Sequence, residues 1–268
     1  MTTHGASLPG GSPPGQDRWT VTPHGIVVLD GATAVAPDVP PAEKYVDHLL
    51  AAISQRLDAT RDLTAVVAEA IDAVATELQL HPGGAPSSTV AVLRWTGTHV
   101  DSLALGDSTI VLGLADGSET RLRDDRLAAV APTQRDTYRR RLESGHGYDG
   151  THRQILSEIQ SAEIAARNSE MGYWIAEADP AAARHSVARR DALTELRWAV
   201  LATDGAQRPI DHLELPWADV AARDSDALGA LLHDLHRWET HMDPDGRALP
   251  RAKRHDDKAV VTWAADHL

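Results

Sequence analysis

The residues able to do chemistry are aspartates placed where apolar runs end. In "IVVLDGAT", residues 26–33, Ile26 to Leu29 are followed at once by Asp30 and Gly31. "AVLATDG", residues 199–205, repeats the ending at Asp204, and "LALGDS", residues 103–108, closes on Asp107. In "RHDDKAVVTW", residues 254–263, an apolar run starts just after Asp256 and Asp257. Asp-Gly is also a common turn dipeptide. A third copy, Asp116-Gly117 in "LGLADGSETR", lies between two short runs and reads as a plain hairpin turn. Carboxylates brought together without cysteine form an all-oxygen donor set, and such sets suit Mg²⁺ or Mn²⁺.

Hairpin geometry sharpens this. "DRWTV" and "GIVVLD" read as strands around the turn "TPHG", Thr22 to Gly25. Val21 then faces Ile26, Trp19 faces Val28, and Asp17 faces Asp30. Directly opposed residues hold their Cβ atoms roughly 5 Å apart, and like charges there repel. A cation between them explains the pair; a slipped register or a solvated pair at a sheet edge explains it too. If the strands run antiparallel, two strand ends and one strand start meet at one edge, so several aspartates converge on one rim.

The elements that must position these groups follow from periodicity. "PAEKYVDHLLAAISQRL" carries Tyr45, Val46, Leu49, Leu50, Ile53 and Leu57 at helical spacing, and "DLTAVVAEAIDAVATELQL" does the same with Leu63, Val66, Val67, Ala70, Ile71, Val74 and Leu78. Short strands follow in "TVAVLRW", "HVDSLALGD", "TIVLGLAD" and "SETRLR". Pro132 to Arg167 reads as charged helix, "YWIAEA" and "SVARR" as short strands, and "LRWAVLATDG" as a strong strand. A helix over "ADVAARDSDALGALLHDLHRWETH" and a last strand, "KAVVTWAAD", complete the chain. Consecutive strands with helices in separate blocks imply α+β layering of antiparallel sheets rather than a doubly wound parallel sheet.

Bulk properties exclude several classes. The 268 residues suffice for a sizeable core. A formal charge of −13, with 26 Lys+Arg against 39 Asp+Glu, argues against nucleic acid as a partner. The absence of cysteine removes thiolate chemistry and disulfides. No run reaches membrane-span length, and "MTTHGASLPGGSPPG" has no apolar signal-peptide core, so a cytoplasmic protein is expected, with no membrane partner. The lead is rich in Gly, Pro and Ser. The expected organisation is a disordered, dispensable stretch over 1–14 and one domain over 15–268.

Taken in order, "QD", "VVLDG", "LALGDS", "VLATDG" and "DDKAVV" span about 240 residues of the sequence, and this series resembles the metal-dependent protein phosphatases of type 2C, the PPM-type family. The resemblance implies a four-layer α-β-β-α sandwich, two antiparallel sheets flanked by helices. It implies two Mg²⁺ or Mn²⁺ ions at one rim, with a third, weaker ion, and a metal-bridging water that attacks a phosphate monoester, the substrate being a phosphoserine or phosphothreonine protein. Carried over by position, the resemblance implies that Asp17 binds one metal, Asp30 bridges both, the Gly31 carbonyl binds the other, Asp204 and Asp257 complete the coordination of the first metal, and Asp107 holds the third ion.

The sequence departs from the family around the phosphate. Ser12 stands where an arginine grips it, Gln16 where Glu is frequent, and Ala32, Thr33 and Ala34 where glycines follow Asp-Gly. No histidine follows Gly31, Arg208 replaces a frequent aspartate, and Lys258 a frequent Asn. Arg18 is the candidate replacement grip. These changes keep a second class of function open, a non-catalytic regulatory or interaction module. A serine-esterase reading, with Ser108 of "GDS" as nucleophile and Asp149-Gly-Thr-His152 as its partner, fails on position, since more than 100 residues precede the motif and the Asp-x-x-His lies in mid-chain rather than near the C-terminus. His233, His236 and His241 read as surface histidines, and the tryptophans at 95, 174, 198 and 263 as core.

Overall fold

The computed structural model describes residues 1–11, 13–32 and 39–265. Ser12, Thr33 and Ala34, three of the departures above, lie outside the described residues.

Two five-stranded antiparallel sheets face each other. The first contains β2 (Arg18–Thr22), β3 (Gly25–Ala32), β4 (Ser87–Trp95), β5 (His99–Leu105) and β8 (Val187–Ala192), in that order. The second runs β1 (Thr2–Leu8), β10 (Lys258–Ala264), β9 (Leu196–Ala202), β6 (Thr109–Leu114) and β7 (Glu119–Leu122). Helices α1 (Ala42–Arg56) and α2 (Leu63–Glu77) cover the first sheet, while α5 (Asp204–His212), α6 (Trp217–Ala221) and α7 (Ser225–His241) cover the second. The α+β, four-layer arrangement expected from the sequence is present. Helices α3 (Pro132–Glu143) and α4 (Gly150–Ala166) pack on each other through Tyr138, Leu142, Ile155 and Ile159.

Period-2 alternation sorts the core into layers. Val27, Leu29, Val90 and Val92 face α1 and α2, whereas Ile26, Val28, Ala91 and Leu93 face the opposite sheet, where Val261 and Trp263 meet them. In the second sheet Val111, Val200 and Val260 pack under Leu228, Leu231 and Leu232 of α7. Asp62 and Asp224 cap α2 and α7 by accepting from the backbone amides of Ala65 and Ala227. The β2–β3 hairpin has the expected register, Val21 opposite Ile26 and Trp19 opposite Val28.

Two expectations fail. The lead is not a disordered 1–14. Thr2–Leu8 forms β1 and pairs with β10 from Thr2↔Ala264 to Leu8↔Lys258. Ladder hydrogen bonds need only backbone, so a run of small polar residues forms an edge strand without an apolar signature. Gly5 fits because a Cβ there would press into the Trp19 ring at 2.8 Å. "YWIAEA" is not a strand. It makes two isolated bridges, Arg167↔Tyr173 and Ser88↔Ala176, beyond which the buried Glu177 carboxylate accepts from the amides of Gly83 and Ala85 and pairs with Arg167.

The packed lead yields a prediction. Deleting residues 1–9 exposes the β10 edge, so the truncated protein is expected to melt several degrees below the full chain by calorimetry. An unchanged melting temperature would show that β1 adds nothing.

Candidate metal centre

The antiparallel order gathers strand termini at one rim. Asp30 lies opposite Thr89 near the start of β4, and Val90 pairs with Leu105 at the end of β5, two residues before Asp107. In the second sheet Ala202 at the end of β9 pairs with both Thr109 and Val260, bringing Asp204 beside the start of β10. Asp30, Gly31, Asp107, Asp204 and Asp256 consequently line one cavity of about 440 Å³.

The Asp-Gly pairs now separate into two kinds. A Cβ on Gly31 would sit 2.8 Å from the Gln16 carbonyl oxygen, and one on Gly205 would overlap the Asp257 carbonyl. Both glycines are there for close backbone approach beside a carboxylate. Asp116-Gly117 is the expected turn, with exposed Asp116 accepting from the Ser118 amide at 2.9 Å and Gly117 at φ +87°.

Asp17 is buried but does not line the cavity. Its Oδ2 accepts from Thr203 Oγ1 at 2.7 Å, and Thr203 Oγ1 accepts from the Ala259 amide at 2.9 Å, so one hydroxyl ties the two sheets together at the rim. Burial pushes the Asp17 carboxyl up to about 8, with the Thr203 bond opposing and Asp257, Asp256 and Asp204 adding repulsion. Burial raises Asp30 well above the ordinary range, reinforced by Asp17, Asp204, Asp256 and Asp107. Asp107 is pushed to about 6 by burial and Asp204, against the pull of Arg123. Asp204 is raised by burial and Asp256, while Arg208, Lys253 and Arg123 pull it down. The like-charge crowding inferred from the hairpin is therefore present and extends over both sheets. An all-oxygen set of this kind fits a hard divalent cation.

Two further expected residues, like Asp17, lie off the cavity lining. The Asp257 oxygens accept from the amides of Gly10, at 2.6 Å, and Gln16, while its neighbour Asp256 lines the cavity. Neighbouring aspartates are equivalent by type, and only the backbone path distinguishes them. Arg18 does not line the cavity. Its Nε bonds Asp47 at 2.6 Å and Nη1 bonds the carbonyls of Gly15 and Asp17, because strand β2 carries it away from the opening.

Several contributors were missed. Lys253 lines the cavity and donates to Asp256 Oδ1 at 2.9 Å. Gln160, Glu163 and Arg167, at the end of α4 and just beyond it, form a wall whose only sequence signal is a charged helix. Lys258 is fully buried and donates to Glu239 Oε2 at 2.9 Å and to the Asp256 carbonyl at 3.0 Å, bracing the segment that carries Asp256. Ser108 is buried and shares a 2.6 Å hydroxyl bond with Thr89, which closes the esterase reading. Asp149 caps α4 at the His152 amide, and His152 Nε2 lies 2.9 Å from the Ala252 carbonyl.

The raised carboxyls set a pH dependence. Folding holds Asp107 and Asp17 protonated above the ordinary carboxylate range, so their stabilising contribution is full below about pH 4. It is lost as pH rises through about 6 for Asp107 and about 8 for Asp17. In EDTA the melting temperature is expected to fall between about pH 6 and about pH 8.5. If the ionised folded rim binds Mn²⁺, saturating Mn²⁺ is expected to flatten that fall. A metal-free melting temperature that rises over this interval would contradict the assignment.

No protein-family model and no curated protein matches the sequence. Solved structures do match over nearly the whole chain. Serine/threonine phosphatase Stp1 from Staphylococcus aureus aligns at TM-score 0.57 and 12% identity, covering 99% of this chain and 95% of that one. The PPM Ser-Thr phosphatase MsPP from Mycobacterium smegmatis, in complex with cacodylate, aligns at 0.55 and 15%, covering 98% and 97%. The catalytic domain of serine threonine protein phosphatase PstP, in complex with 2 manganese ions, aligns at 0.52 and 16%, covering 97% and 96%. Two facing antiparallel sheets between helical layers, matched end to end by these proteins, give the chain the fold of the PPM-type serine/threonine phosphatases.

Proposed function

We propose that this chain is a metal-dependent phosphatase that hydrolyses a phosphate monoester, with phosphoserine or phosphothreonine on a protein as the substrate class and Mg²⁺ or Mn²⁺ as the ions. The observation that carries the reading is the convergence of Asp30, Asp107, Asp204 and Asp256, from four strand termini of two sheets, on one open cavity. The architecture shared with serine/threonine phosphatases supports it, as does the presence of manganese in PstP.

In this reading Asp30 and the Gly31 carbonyl would be the central donors, joined by Asp17, Asp204, Asp107 and one of the adjacent pair Asp256 and Asp257, Asp256 being the one that lines the cavity. Bound divalent ions supply Lewis-acid charge that acidifies water and steadies the phosphoryl oxygens. The chain supplies placement. Thr203 orients Asp17, and the Asp30 amide donates to Thr89 Oγ1 at 3.2 Å. Leu127 and Ile164 contribute apolar side chains to the cavity lining. Of the lining residues described, the cations are Lys253 and Arg167, and Arg167 is held by Glu177 and the Ala85 carbonyl. No helix among the described residues is long and apolar enough to cross a membrane.

A second reading, a weakly active or inactive regulatory module, is favoured by one observation. The candidate phosphate grip, Arg18, is engaged by Asp47 outside the cavity. Turnover of p-nitrophenyl phosphate and of a phosphothreonine peptide with Mn²⁺ separates the two. Hydrolysis is expected, is expected to vanish in excess EDTA, and is expected to drop roughly a hundredfold or more in Asp30→Asn and Asp256→Asn. Asp257→Asn should keep most of the activity and lose stability, and Asp116→Asn should change neither. No turnover above the Asp30→Asn background would favour the regulatory module. Loss in Asp257→Asn with none in Asp256→Asn would reverse the placement of the last carboxylate.

A further inference from the structure

Lys253 stands among the rim carboxylates in a way that the family resemblance does not account for. It lies on the loop between α7 and β10, and this loop is pinned on either side of it. Arg251, buried, donates to Asp243 Oδ2 at 2.6 Å and to the Arg254 carbonyl at 2.8 Å, and the Ala252 carbonyl meets His152 Nε2 at 2.9 Å. Beyond Lys253, Asp256 is held through its carbonyl by Lys258. The backbone is thus fixed at both ends while the Lys253 side chain stays 62% exposed, with its ammonium on Asp256 Oδ1.

The same side chain lines the carboxylate cavity and the two smaller hollows beside it, and its charge acts on Asp30 and Asp204 as well as on Asp256. Of the described cations lining the cavity, Lys253 alone is bonded to a cavity carboxylate, since Arg167 is committed to Glu177. A lysine suits the position because its ammonium is a compact charge on a flexible four-carbon stem and can withdraw into solvent. The neighbouring cluster of His236, Glu239 and His255 does not compete as a divalent site, because the buried Lys258 ammonium already neutralises its single carboxylate.

We propose that Lys253 is a tethered counter-ion of the rim, which occupies Asp256 when no divalent cation is bound and must be displaced for one to bind. The proposal rests on the metal-centre reading above, and not on turnover. Lys253 therefore weakens divalent-ion affinity while stabilising the metal-free fold.

The test is Mn²⁺ titration by calorimetry of the full chain, with melting curves in EDTA and in saturating Mn²⁺, for the parent, Lys253→Met and Lys253→Arg. An exposed ion pair is worth little, so Lys253→Met is expected to bind Mn²⁺ roughly two- to fivefold tighter. It should melt below the parent in EDTA and level with it in saturating Mn²⁺, and Lys253→Arg should behave as the parent. Raising the salt concentration should shrink the difference, because the pair is open to solvent. Equal or weaker Mn²⁺ binding by Lys253→Met would overturn the counter-ion role. Binding by neither protein would overturn the metal centre as well. Binding without hydrolysis would sink only the phosphatase reading.

Discussion

Mutual repulsion among carboxylates crowded at one rim, Asp17 buried and the others half-buried, is the constraint around which this structure is organised. Asp17, Asp30, Asp107 and Asp204 come from strand termini of both sheets, and each is driven toward its neutral form first by burial. Desolvating a carboxylate without a partner is unfavourable, and like charges in the same place add to that. What surrounds the rim reads as compensation. Thr203 donates to Asp17, Lys253 pairs with Asp256, and Arg123 and Arg208 pull on Asp204. In the proposed reading, a divalent cation would be the compensation that reaches several of them together.

Holding such a rim requires rigid elements behind it. The inter-sheet layer of Ile26, Val28, Leu93, Val261 and Trp263 is fully buried, and each such aliphatic side chain contributes roughly 1.5–3 kcal/mol. Helices α1 and α2 on one face and α5 to α7 on the other bury further layers. The cost at the rim is therefore carried by apolar surface elsewhere, a division seen wherever a site is less stable than its scaffold. The Asp257 carboxylate has a supporting part, since it fastens the loop at Gly10 and Gln16 to the start of β10. The N-terminal segment thus belongs to the architecture of the rim, through β1 on one side and this loop on the other.

Legibility in the sequence followed the range of the interaction. The β2–β3 register could be read because a short turn and strict alternation determine which residues face each other. The faces of α1 and α2 could be read because helical spacing of Tyr45, Val46 and Leu49, or of Val66, Val67 and Ala70, is a local property. β1 could not, because an edge strand with little apolar pattern takes its stability from a backbone ladder with β10, 250 or more positions away. "YWIAEA" misled for the converse reason. Its strand-like composition is overridden by a buried Glu177 that bonds loop amides rather than a ladder.

By itself, then, the sequence determined the layered α+β class, the register of the first hairpin and the placing of aspartates at strand ends, all set by periodicity, turn length and residue type. Tertiary structure alone decided which of two adjacent aspartates reaches the cavity, that Arg18 turns to Asp47, and that Lys253 reaches Asp256. Those outcomes depend on where a backbone bends and which distant group meets a side chain there. Neither the pattern of residue types nor their spacing along the chain encodes that directly.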